Sequence, residues 1–522
     1  MTSPDISGGP WLLGLDLGIS TVKAAIVSPY GDIAAVEADE YLVMPDGDRV
    51  EADPEVYWAP LARSIRRLLV RWGGRVDRIA AVAVSSHTET VFSMGRDGQP
   101  VRPALVWMDA RSAPEAAELA RLIGSQRVLE ISGQPEITPI WPLTKLRWLR
   151  KNEPDNFART ACFLLPHDYV VYRLCGRYVC EPTLWSSSLA LDIRRRTWSD
   201  ELLEFAGVTA AQLPQLYPSG AVVGRISDAC AAETGLSSRT QVVTGALDQA
   251  CGALGAGNVA PGTVTESTGS VLALLATISE PILNLASRVP CHVHALPGTY
   301  CLLPWNPTGG LTLKWFKDRF APDLAAEAAA SGRDVYDLLS AQAAGIPPGS
   351  EGLVMLPDLQ GALFPEYEPA ARGVFFGFTL SHTRAHFTRA IMEAVAFMIR
   401  RDLEGIRGLG VEVREVRVLG GGARSGLWSQ IKADVLGLPV VVPSQHEAAV
   451  LGAAILAASG IGLYPDIYAA VGAMAREGSR LAPDLGRQAV YQRAFELYVA
   501  LFDAVRPLFA DAAAVQGPGA GP

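Results

Sequence analysis

Apolar and polar positions alternate along the first part of the chain in a way that predicts short strands. The pattern over residues 11–37 indicates three strands, separated by a tight turn at 18–21 and a second turn at 29–32. An amphipathic helix is predicted over 56–72, with its arginines toward solvent. Strands and helices then alternate to about residue 255, which indicates the α/β class.

The strand pattern begins again after residue 255. Residues 264–275 predict a second hairpin, and its turn at 267–270 carries hydroxyls and a glycine, as the first turn does. This repetition suggests two related domains that face each other. We expect domains at 1–255 and 256–505, followed by a flexible tail at 506–522 that is rich in Ala, Gly and Pro.

Composition is that of a globular protein with a sizeable core. The 522 residues are 49% hydrophobic and 19% charged. The chain carries 45 basic and 54 acidic residues, a net charge of −9, and has no long basic run. This charge argues against nucleic acid or an anionic membrane as a partner. The 50 glycines indicate many turns, or loops where backbone approaches a ligand.

Neither cysteines nor histidines form a recognisable metal or disulfide pattern. The seven cysteines include no CxxC pair. His292 and His294 have no further ligand at metal spacing, so we assign them no metal. The N-terminus has no basic region typical of a secretory signal. The uncharged stretches 289–313 and 448–465 contain Pro or Gly and are typical of buried core. We therefore expect a cytoplasmic protein with no membrane partner.

The first candidate site is the turn between the first two strands. Asp16 precedes Gly18, the hydroxyls of Ser20 and Thr21 follow, and Lys23 lies on the second strand. Such a turn can hold phosphate oxygens while the aspartate holds hydrated Mg²⁺. An ordinary hairpin with a solvated tip is the alternative. Ser20 and Lys23 also fit an S-x-x-K acyl-enzyme motif, but its companions Ser-Asp-Asn and Lys-Thr-Gly do not occur.

A second candidate is Asp248, a lone acid after a predicted strand and before a helix of small residues. Small neighbours would let a substrate approach the carboxylate closely. The alternative interpretation is a helix N-cap, a position that Asp favours.

A third candidate is the triple glycine at 420–422, where a strand runs into a helix. Bare backbone at a helix N-terminus suits a nucleotide. The sequence contains neither the Rossmann pattern GxGxxG at this point nor a P-loop GxxxxGK[ST] anywhere, so those two kinds of nucleotide site are not supported.

In this order, the motifs resemble those of the FGGY family of carbohydrate kinases from about residue 11 to about residue 505. Residues 16–23 look like its first phosphate loop, 107–111 like its W-x-D-x-R motif, and 267–269 like its second phosphate loop. The segment 420–430, continued at 447–454, looks like its adenosine motif. The spacing of the family's C-terminal signature is matched by Gly377, His386, Phe387, Ala390 and Glu393. Phe378 stands where the family usually has an aliphatic residue.

Within the family, the middle of the chain is most similar to xylulose kinases, in segments 145–148, 152–154, 165–169 and 198–203.

The pocket residues depart from that subgroup. The chain has His87-Thr88-Glu89 where xylulose kinases usually have Gln-Met-His, and Gln249 where they have Asn. Glu89 and Gln249 are similar to residues of glycerol kinases, which instead carry an arginine at the Thr88 position and a tyrosine near Ile140. The pocket thus matches neither subgroup.

The resemblance implies an α/β protein with a duplicated actin-like ATPase (ribonuclease H-like) fold, in which two domains surround a central cleft. Residues 1–255 would carry the sugar side, the first phosphate loop and the catalytic aspartate. Residues 256–505 would carry the second phosphate loop and the adenosine site. A homodimer is expected by family analogy.

The implied activity is ATP-dependent phosphorylation of a ketose, xylulose or a related pentulose, in carbohydrate catabolism. Asp248 would act as the base and Asp16 would orient Mg²⁺. The substrate would be bound by Thr88, Glu89, Trp107, Asp109, Asp248 and Gln249, and the nucleotide by Ser20, Thr21, Lys23, Thr268, Gly269, Gly421, Gly422 and Ser425.

Two alternatives to a ketose kinase remain. One is a kinase of a polyol such as erythritol or glycerol. The other, from a different class, is an actin-like ATPase or binding protein without sugar kinase activity. The rate of ADP release with different sugars separates them.

Overall fold

The computed structural model describes residues 9–44, 47 and 49–516. Its strands are β1 Trp11–Leu17, β2 Thr21–Val27, β3 Ile33–Glu40, β4 Glu51–Ala52, β5 Ile79–Ser86, β6 Phe92–Met94, β7 Ala104–Leu105, β8 Cys162–Leu164, β9 Val179–Cys180, β10 Leu191–Asp192, β11 Thr197–Trp198, β12 Gln215–Leu216, β13 Val222–Arg225, β14 Gln241–Leu247, β15 Thr263–Thr268, β16 Leu272–Ile278, β17 Cys291–Val293, β18 Tyr300–Leu302, β19 Trp305–Asn306, β20 Val354–Leu356, β21 Val374–Phe376, β22 Glu415–Leu419, β23 Val440–Pro443 and β24 Glu477–Leu481.

The helices alternate with these strands along much of the chain. They are α1 Glu55–Trp72, α2 Ala113–Leu122, α3 Ser125–Ser132, α4 Pro142–Asn152, α5 Pro154–Arg159, α6 Pro166–Cys175, α7 Pro182–Trp185, α8 Asp200–Ala206, α9 Asp228–Thr234, α10 Asp248–Gly255, α11 Leu311–Phe320, α12 Pro322–Ser331, α13 Val335–Ala344, α14 Arg384–Gly408, α15 Gly426–Leu436, α16 Ala448–Gly460, α17 Ile467–Met474, α18 Gln488–Val505 and α19 Phe509–Gln516. The predicted α/β class is confirmed.

The chain folds into two compact units, each drawn from several stretches. Unit 1 contains residues up to 259 together with 277–301 and 447–476. Unit 2 contains 260–276, 302–446 and the residues from 477 onward. Of the expected tail at 506–522, residues 509–516 form α19, and 517–522 lie outside the described residues.

Unit 1 is built on a six-stranded sheet in the order β13-β14-β5-β1-β2-β3. β1, β2 and β3 are antiparallel neighbours, which confirms the three predicted strands, and β3 extends further than expected, to Glu40. β5 lies parallel to both β1 and β14. These inner strands are almost continuously apolar because helices cover both faces of a parallel sheet.

Helix α1 has the amphipathic character that its sequence predicts. Its apolar face is buried, and Arg63, Arg67 and Arg71 reach the edge strand β3. Arg63 Nε lies 3.1 Å from Asp39, and Arg71 Nη1 lies 2.9 Å from Glu37. Exposed ion pairs of this kind add little stability, but charge along an edge strand discourages pairing with another chain.

Helices α10 and α16 pack backbone against backbone, although about 190 residues separate them in the sequence. A Cβ at Gly452 would lie 1.9 Å from the Cys251 carbonyl oxygen, and one at Gly255 would lie 2.0 Å from that of Ala448. Only glycine permits such an approach. The uncharged stretch that begins at residue 448 is therefore buried core, as predicted. None of the helices in the described part of the chain combines the length and apolar character needed to cross a membrane.

In unit 2, β16, β15, β22, β23 and β24 lie side by side in that order. β15 and β16 form the predicted antiparallel hairpin, and β22 lies parallel to β15. Unit 1 has the same arrangement, since β1 is antiparallel to β2 and parallel to β5. The repeat suspected from the second hairpin is thus present in the strand order.

The glycine contact between α10 and α16 yields a test of the fold. Gly452→Ala forces a methyl group against the Cys251 carbonyl, and we expect it to destabilise the protein by about 2 kcal/mol or more. Gly472→Ala is the matched control, because a Cβ there meets nothing within 4 Å in helix α17. That control should be neutral or slightly stabilising. Equal melting temperatures for the two variants would contradict this packing.

Candidate functional site

Hydrogen bonds close the turn between β1 and β2 and leave its tip open. The Gly18 N–H donates to the Thr21 carbonyl at 3.0 Å, which closes the turn. The Tyr41 hydroxyl donates to the Gly18 carbonyl, and the Tyr41 N–H donates to that of Ser20 at 3.0 Å. Ser20 itself is exposed. These contacts leave the tip free to meet an anion.

Lys23, on the second strand of this hairpin, is paired with a carboxylate. Its Nζ lies 2.5 Å from Oε2 of Glu447, the residue that precedes α16. The pair is only partly exposed. A phosphate oxygen bound by Lys23 would therefore compete with Glu447, a contact that the sequence motif alone does not reveal.

Asp16 projects from β1 beside the end of β5. Its Oδ1 accepts a hydrogen bond from the Ser85 hydroxyl at 2.7 Å. Burial raises the pKa of Asp16, an effect opposed by the Ser85 hydrogen bond and by the charge of Lys23.

Asp248 is the first residue of α10, directly after β14. The cap position belongs to Leu247, so the N-cap interpretation does not describe this aspartate. Burial, reinforced by the negative charge of Asp16, raises the pKa of Asp248 to about 7. The Gln249 N–H donates to its Oδ1 at 2.7 Å, which partly offsets the rise. The two predicted catalytic aspartates thus lie close enough to influence each other.

A buried polar network fixes the backbone immediately before Asp248. The Leu247 N–H donates to the Thr183 hydroxyl at 2.7 Å, and Thr183 Oγ1 donates to Glu181 at 2.5 Å. The Gly245 N–H donates to His167 Nε2 at 3.1 Å. Since buried backbone donors need partners, these side chains hold the end of β14 in one position. None of these side chains is among the site residues that the sequence predicted.

Glu89, which follows β5, has a strained backbone conformation. Its φ is +66°, a conformation that is costly for a residue with a side chain and recurs at functional sites. Burial raises the pKa of Glu89 to about 8. The negative charge of Asp248 adds to this rise. The charge of Lys145 and a hydrogen bond with the Ser187 hydroxyl oppose it. Glu89 and Asp248 are therefore electrostatic neighbours, as their predicted roles require.

Lys145 is a fully buried lysine that the sequence analysis did not select as a site residue. Its ammonium group donates to the carbonyls of Pro139 at 2.9 Å, Ile140, and Trp107 at 3.4 Å. Burial lowers the pKa of Lys145 to about 7, although the negative charges of Glu89 and Asp109 act to raise it. Since an ammonium group has three protons, its hydrogen-bonding capacity is used by the fold.

Thr88 and Asp109 already have partners within the protein. The Thr88 hydroxyl donates to the Leu184 carbonyl at 3.1 Å. Arg111 binds both carboxylate oxygens of Asp109, with its Nε at 2.8 Å from one and its Nη2 at 2.7 Å from the other. Asp109 also accepts a hydrogen bond from the Val50 N–H at 2.7 Å. The W-x-D-x-R motif therefore forms an internal clamp. Its Trp107 packs partly buried against the core of unit 1.

His292 and His294 are neutral core residues. Burial lowers the pKa of each to about 4. His292 Nε2 lies 3.1 Å from Gln134 Nε2, and its Nδ1 lies 3.5 Å from the Ser187 hydroxyl. Among the described residues, no group of three or more His, Cys, Asp or Glu side chains is arranged to hold a metal ion.

The remaining predicted nucleotide residues belong to unit 2. The turn after β15 is closed by the Gly269 N–H, which donates to the Val271 carbonyl at 3.1 Å. Residues 421–424 form a single 3-10 turn, and Ser425 caps α15 by accepting from the Trp428 N–H at 3.2 Å. The strand, glycine turn and helix expected at 418–430 are confirmed. Thr268 lies buried against Gly422.

The sequence matches the two domains of one family in order. Residues 11–255 match the N-terminal domain of the FGGY family of carbohydrate kinases, and residues 268–461 match its C-terminal domain. The chain belongs to the FGGY family of carbohydrate kinases. The resemblance carried by the motifs is therefore confirmed, and the protein is an enzyme of the sugar kinase class with the two-domain, actin-like ATPase type of fold.

Relatives within the family act on different sugars. The chain is 29% identical to a xylulose kinase of Bacillus subtilis (strain 168) over 499 residues, 95% of this chain and 98% of that one. It is also 29% identical to a gluconokinase of the same organism over 450 residues, 85% and 86% of the two chains. The crystal structure of xylulose kinase from Rhodospirillum rubrum has a TM-score of 0.84 and 29% identity, covering 96% of this chain and all of that one. Equal identity to two FGGY kinases does not select the sugar.

Proposed function

We propose that this FGGY kinase transfers the γ-phosphoryl group of ATP to a hydroxyl of an uncharged ketose, xylulose or a related pentulose, in carbohydrate catabolism. The observation that carries the proposal is the charge of the residues around Asp248. Asp248 and Glu89 are neighbouring carboxyl groups with raised pKa, and Lys145, the cation beside Glu89, donates its protons to backbone carbonyls.

Lys145 and Arg111 are already bound within the protein, and this favours an uncharged acceptor over a sugar acid. Lys145 donates to three backbone carbonyls. Arg111 is bound to Asp109 and, through Nη1 at 2.7 Å, to Glu51. A sugar carboxylate would therefore meet two carboxyl groups while Lys145 and Arg111 are bound elsewhere, whereas a sugar hydroxyl can hydrogen-bond to a carboxyl group in either protonation state. Charge thus separates xylulose from gluconate, the compounds named in the two relatives.

Asp248 is suited to accept the proton of the attacking hydroxyl. A base works best when its pKa lies near the working pH, and the pKa of Asp248 is raised to about 7. In phosphoryl transfer most of the catalysis comes from positioning, and the base matters late in the step. The network at Thr183 and His167 fixes the backbone that presents Asp248, so proton acceptance and positioning belong to one rigid element.

The residues around Asp16 fit a magnesium ion. Mg²⁺ prefers carboxylate oxygens and keeps several waters, so one carboxylate beside phosphates is enough for binding. Asp16 would hold the ion through water, and the bound ion would offset phosphate charge. The raised pKa of Asp16 suits a carboxylate that gains a cation on loading.

The nucleotide roles follow the family motifs. Residues 1–255 would serve the sugar and the first phosphate turn, and 256–505 the second phosphate turn and adenosine. As a kinase of small molecules the protein would act in the cytoplasm, and a homodimer is expected by family analogy. The phosphates would be bound by Ser20, Thr21, Lys23 and the turn at Thr268 and Gly269, the adenosine by Gly421, Gly422 and Ser425, and the sugar by Thr88, Glu89, Trp107, Asp109, Asp248 and Gln249.

A polyol such as erythritol or glycerol is the second candidate acceptor. Glu89 and Gln249 favour it, since both are similar to glycerol kinase residues at these positions. The other alternative, an actin-like ATPase or binding protein without sugar kinase activity, is not proposed, because the chain belongs to a family of carbohydrate kinases.

Replacing the base tests its role. Asp248→Asn keeps the size of the side chain and removes its basicity. We expect kcat for sugar phosphorylation to fall by roughly 10²- to 10⁴-fold, with ATP affinity unchanged in a calorimetric titration. Near-normal turnover by this variant would remove Asp248 from the mechanism.

The pH dependence follows from the raised pKa of Asp248. The base must be ionised, so kcat/KM for the sugar should rise with pH and level off above about 7. Below that value it should fall about tenfold per pH unit. The same fall in kcat/KM at low pH should persist in Glu89→Gln, in which the neighbouring carboxyl group no longer titrates. A rate that is flat from pH 5.5 to 8 would show that another group, or no group, accepts the proton.

A substrate panel tests the uncharged acceptor. ADP release would be followed with D-xylulose, D-ribulose, erythritol, glycerol and D-gluconate, each with ATP and Mg²⁺. A ketose should give the highest kcat/KM and D-gluconate the lowest. A preference for erythritol or glycerol would select the polyol alternative, and a preference for D-gluconate would overturn the charge argument. One slow rate with every compound would favour an ATPase without sugar kinase activity.

A further inference from the structure

Three side chains of unit 2 form a closed, solvent-free triangle at the second phosphate turn. Lys432 Nζ lies 2.6 Å from Glu266 Oε2 and 2.8 Å from the Thr268 hydroxyl. The Thr268 hydroxyl in turn bonds to Glu266 Oε1. Both side chains of the ion pair have no exposed surface. Glu266 and Thr268 point from β15, whereas Lys432 comes from α15, the helix that follows the glycine motif.

The direction of each hydrogen bond in this triangle is fixed by chemistry. The Lys432 ammonium group can only donate, so the Thr268 oxygen accepts from it. The ionised Glu266 carboxylate can only accept, so the single Thr268 proton goes to Glu266. The Thr268 hydroxyl therefore has no proton left to give a phosphate oxygen. This is a different role from the direct phosphate contact that the motif predicts for its side chain.

The glycine motif closes around the same threonine. A Cβ at Gly422 would lie 2.9 Å from Thr268 Cβ, and a Cβ at Gly420 would lie 2.8 Å from the Thr268 carbonyl oxygen. Gly420 also has a φ of +75°, which favours glycine. Thr268 is thus enclosed by the turn at 420–422 and by Lys432. The tip of its own turn, Ser270, stays exposed.

We propose that Glu266 and Lys432 are positioning residues that hold the second phosphate turn in register with the adenosine motif, through the Thr268 hydroxyl. Neither residue touches the nucleotide, and phosphate is met by the turn at 269–270, of which Ser270 is exposed. The proposal rests on the proposed use of ATP. A buried ion pair is seldom the most stable way to fill a core, because apolar residues of similar size often serve as well. Its value here is the geometry that it imposes.

The key variant removes both charges at once. Glu266→Met/Lys432→Met keeps the side-chain lengths and leaves no unpaired buried charge, so we expect it to fold with little change in melting temperature. Calorimetry would then compare ATP with AMP, which carries the adenosine end and lacks the terminal phosphates. The Kd for ATP should rise roughly tenfold while that for AMP stays within about twofold.

Three further variants separate positioning from general packing. Thr268→Ser keeps the hydroxyl and should bind ATP normally, whereas Thr268→Val should match the double variant. Adding Thr268→Val to the double variant should cause no further loss, because the three residues act as one unit. The control is Arg401→Met/Glu366→Met, which removes another largely buried ion pair of unit 2 and should leave both Kd values unchanged.

The outcomes are distinct. Unchanged ATP binding in Glu266→Met/Lys432→Met, or equal weakening of ATP and AMP, would overturn the positioning role. If the double variant fails to fold, Thr268→Val against Thr268→Ser decides the same question. Wild-type protein that binds ATP but phosphorylates no compound of the panel would contradict the proposed sugar chemistry. It would leave the nucleotide comparison intact, so the two failures are distinguishable.

Discussion

The chemistry of this protein depends on carboxyl groups held where ionisation is unfavourable. Burial and the charge of Asp16 together raise the pKa of Asp248 to about 7, and burial raises that of Glu89 to about 8. An isolated carboxylate in water would be ionised at neutral pH and would be a weak base. The fold turns Asp248 into a better base mainly by burying it, and an uncharged sugar is favoured because Lys145 already donates to backbone carbonyls.

The architecture supplies this constraint by placing strand ends together. Asp16 leaves β1, Glu89 follows β5, and Asp248 follows β14, three neighbouring parallel strands of one sheet. Helix α16 covers that sheet and approaches α10 at Gly452, which explains why a segment of more than ten uncharged residues is needed there. In unit 2 the corresponding hairpin carries a fully buried ion pair, whereas the pair of Lys23 and Glu447 in unit 1 is partly exposed.

Much of this was predictable from the sequence. The hairpins, helix α1, the strand before Asp248 and the glycine turn all follow local periodicity and turn chemistry, which operate over a few residues. The motifs in order were enough to identify the family. The partners could not be predicted, because they are distant in sequence. Lys23 pairs with Glu447, and Glu266 pairs with Lys432. A single charged residue in an otherwise uncharged strand, as Glu266 is in β15, was the available signal of a buried partner.

The central claim is that the γ-phosphoryl group of ATP goes to a sugar hydroxyl activated by Asp248, and not to water. The most direct test is ³¹P NMR of a reaction of the wild-type protein with ATP, Mg²⁺ and D-xylulose. The account predicts a new phosphate monoester signal that grows in step with ADP, with little inorganic phosphate. Growth of inorganic phosphate alone, at a rate independent of the sugar, would contradict it.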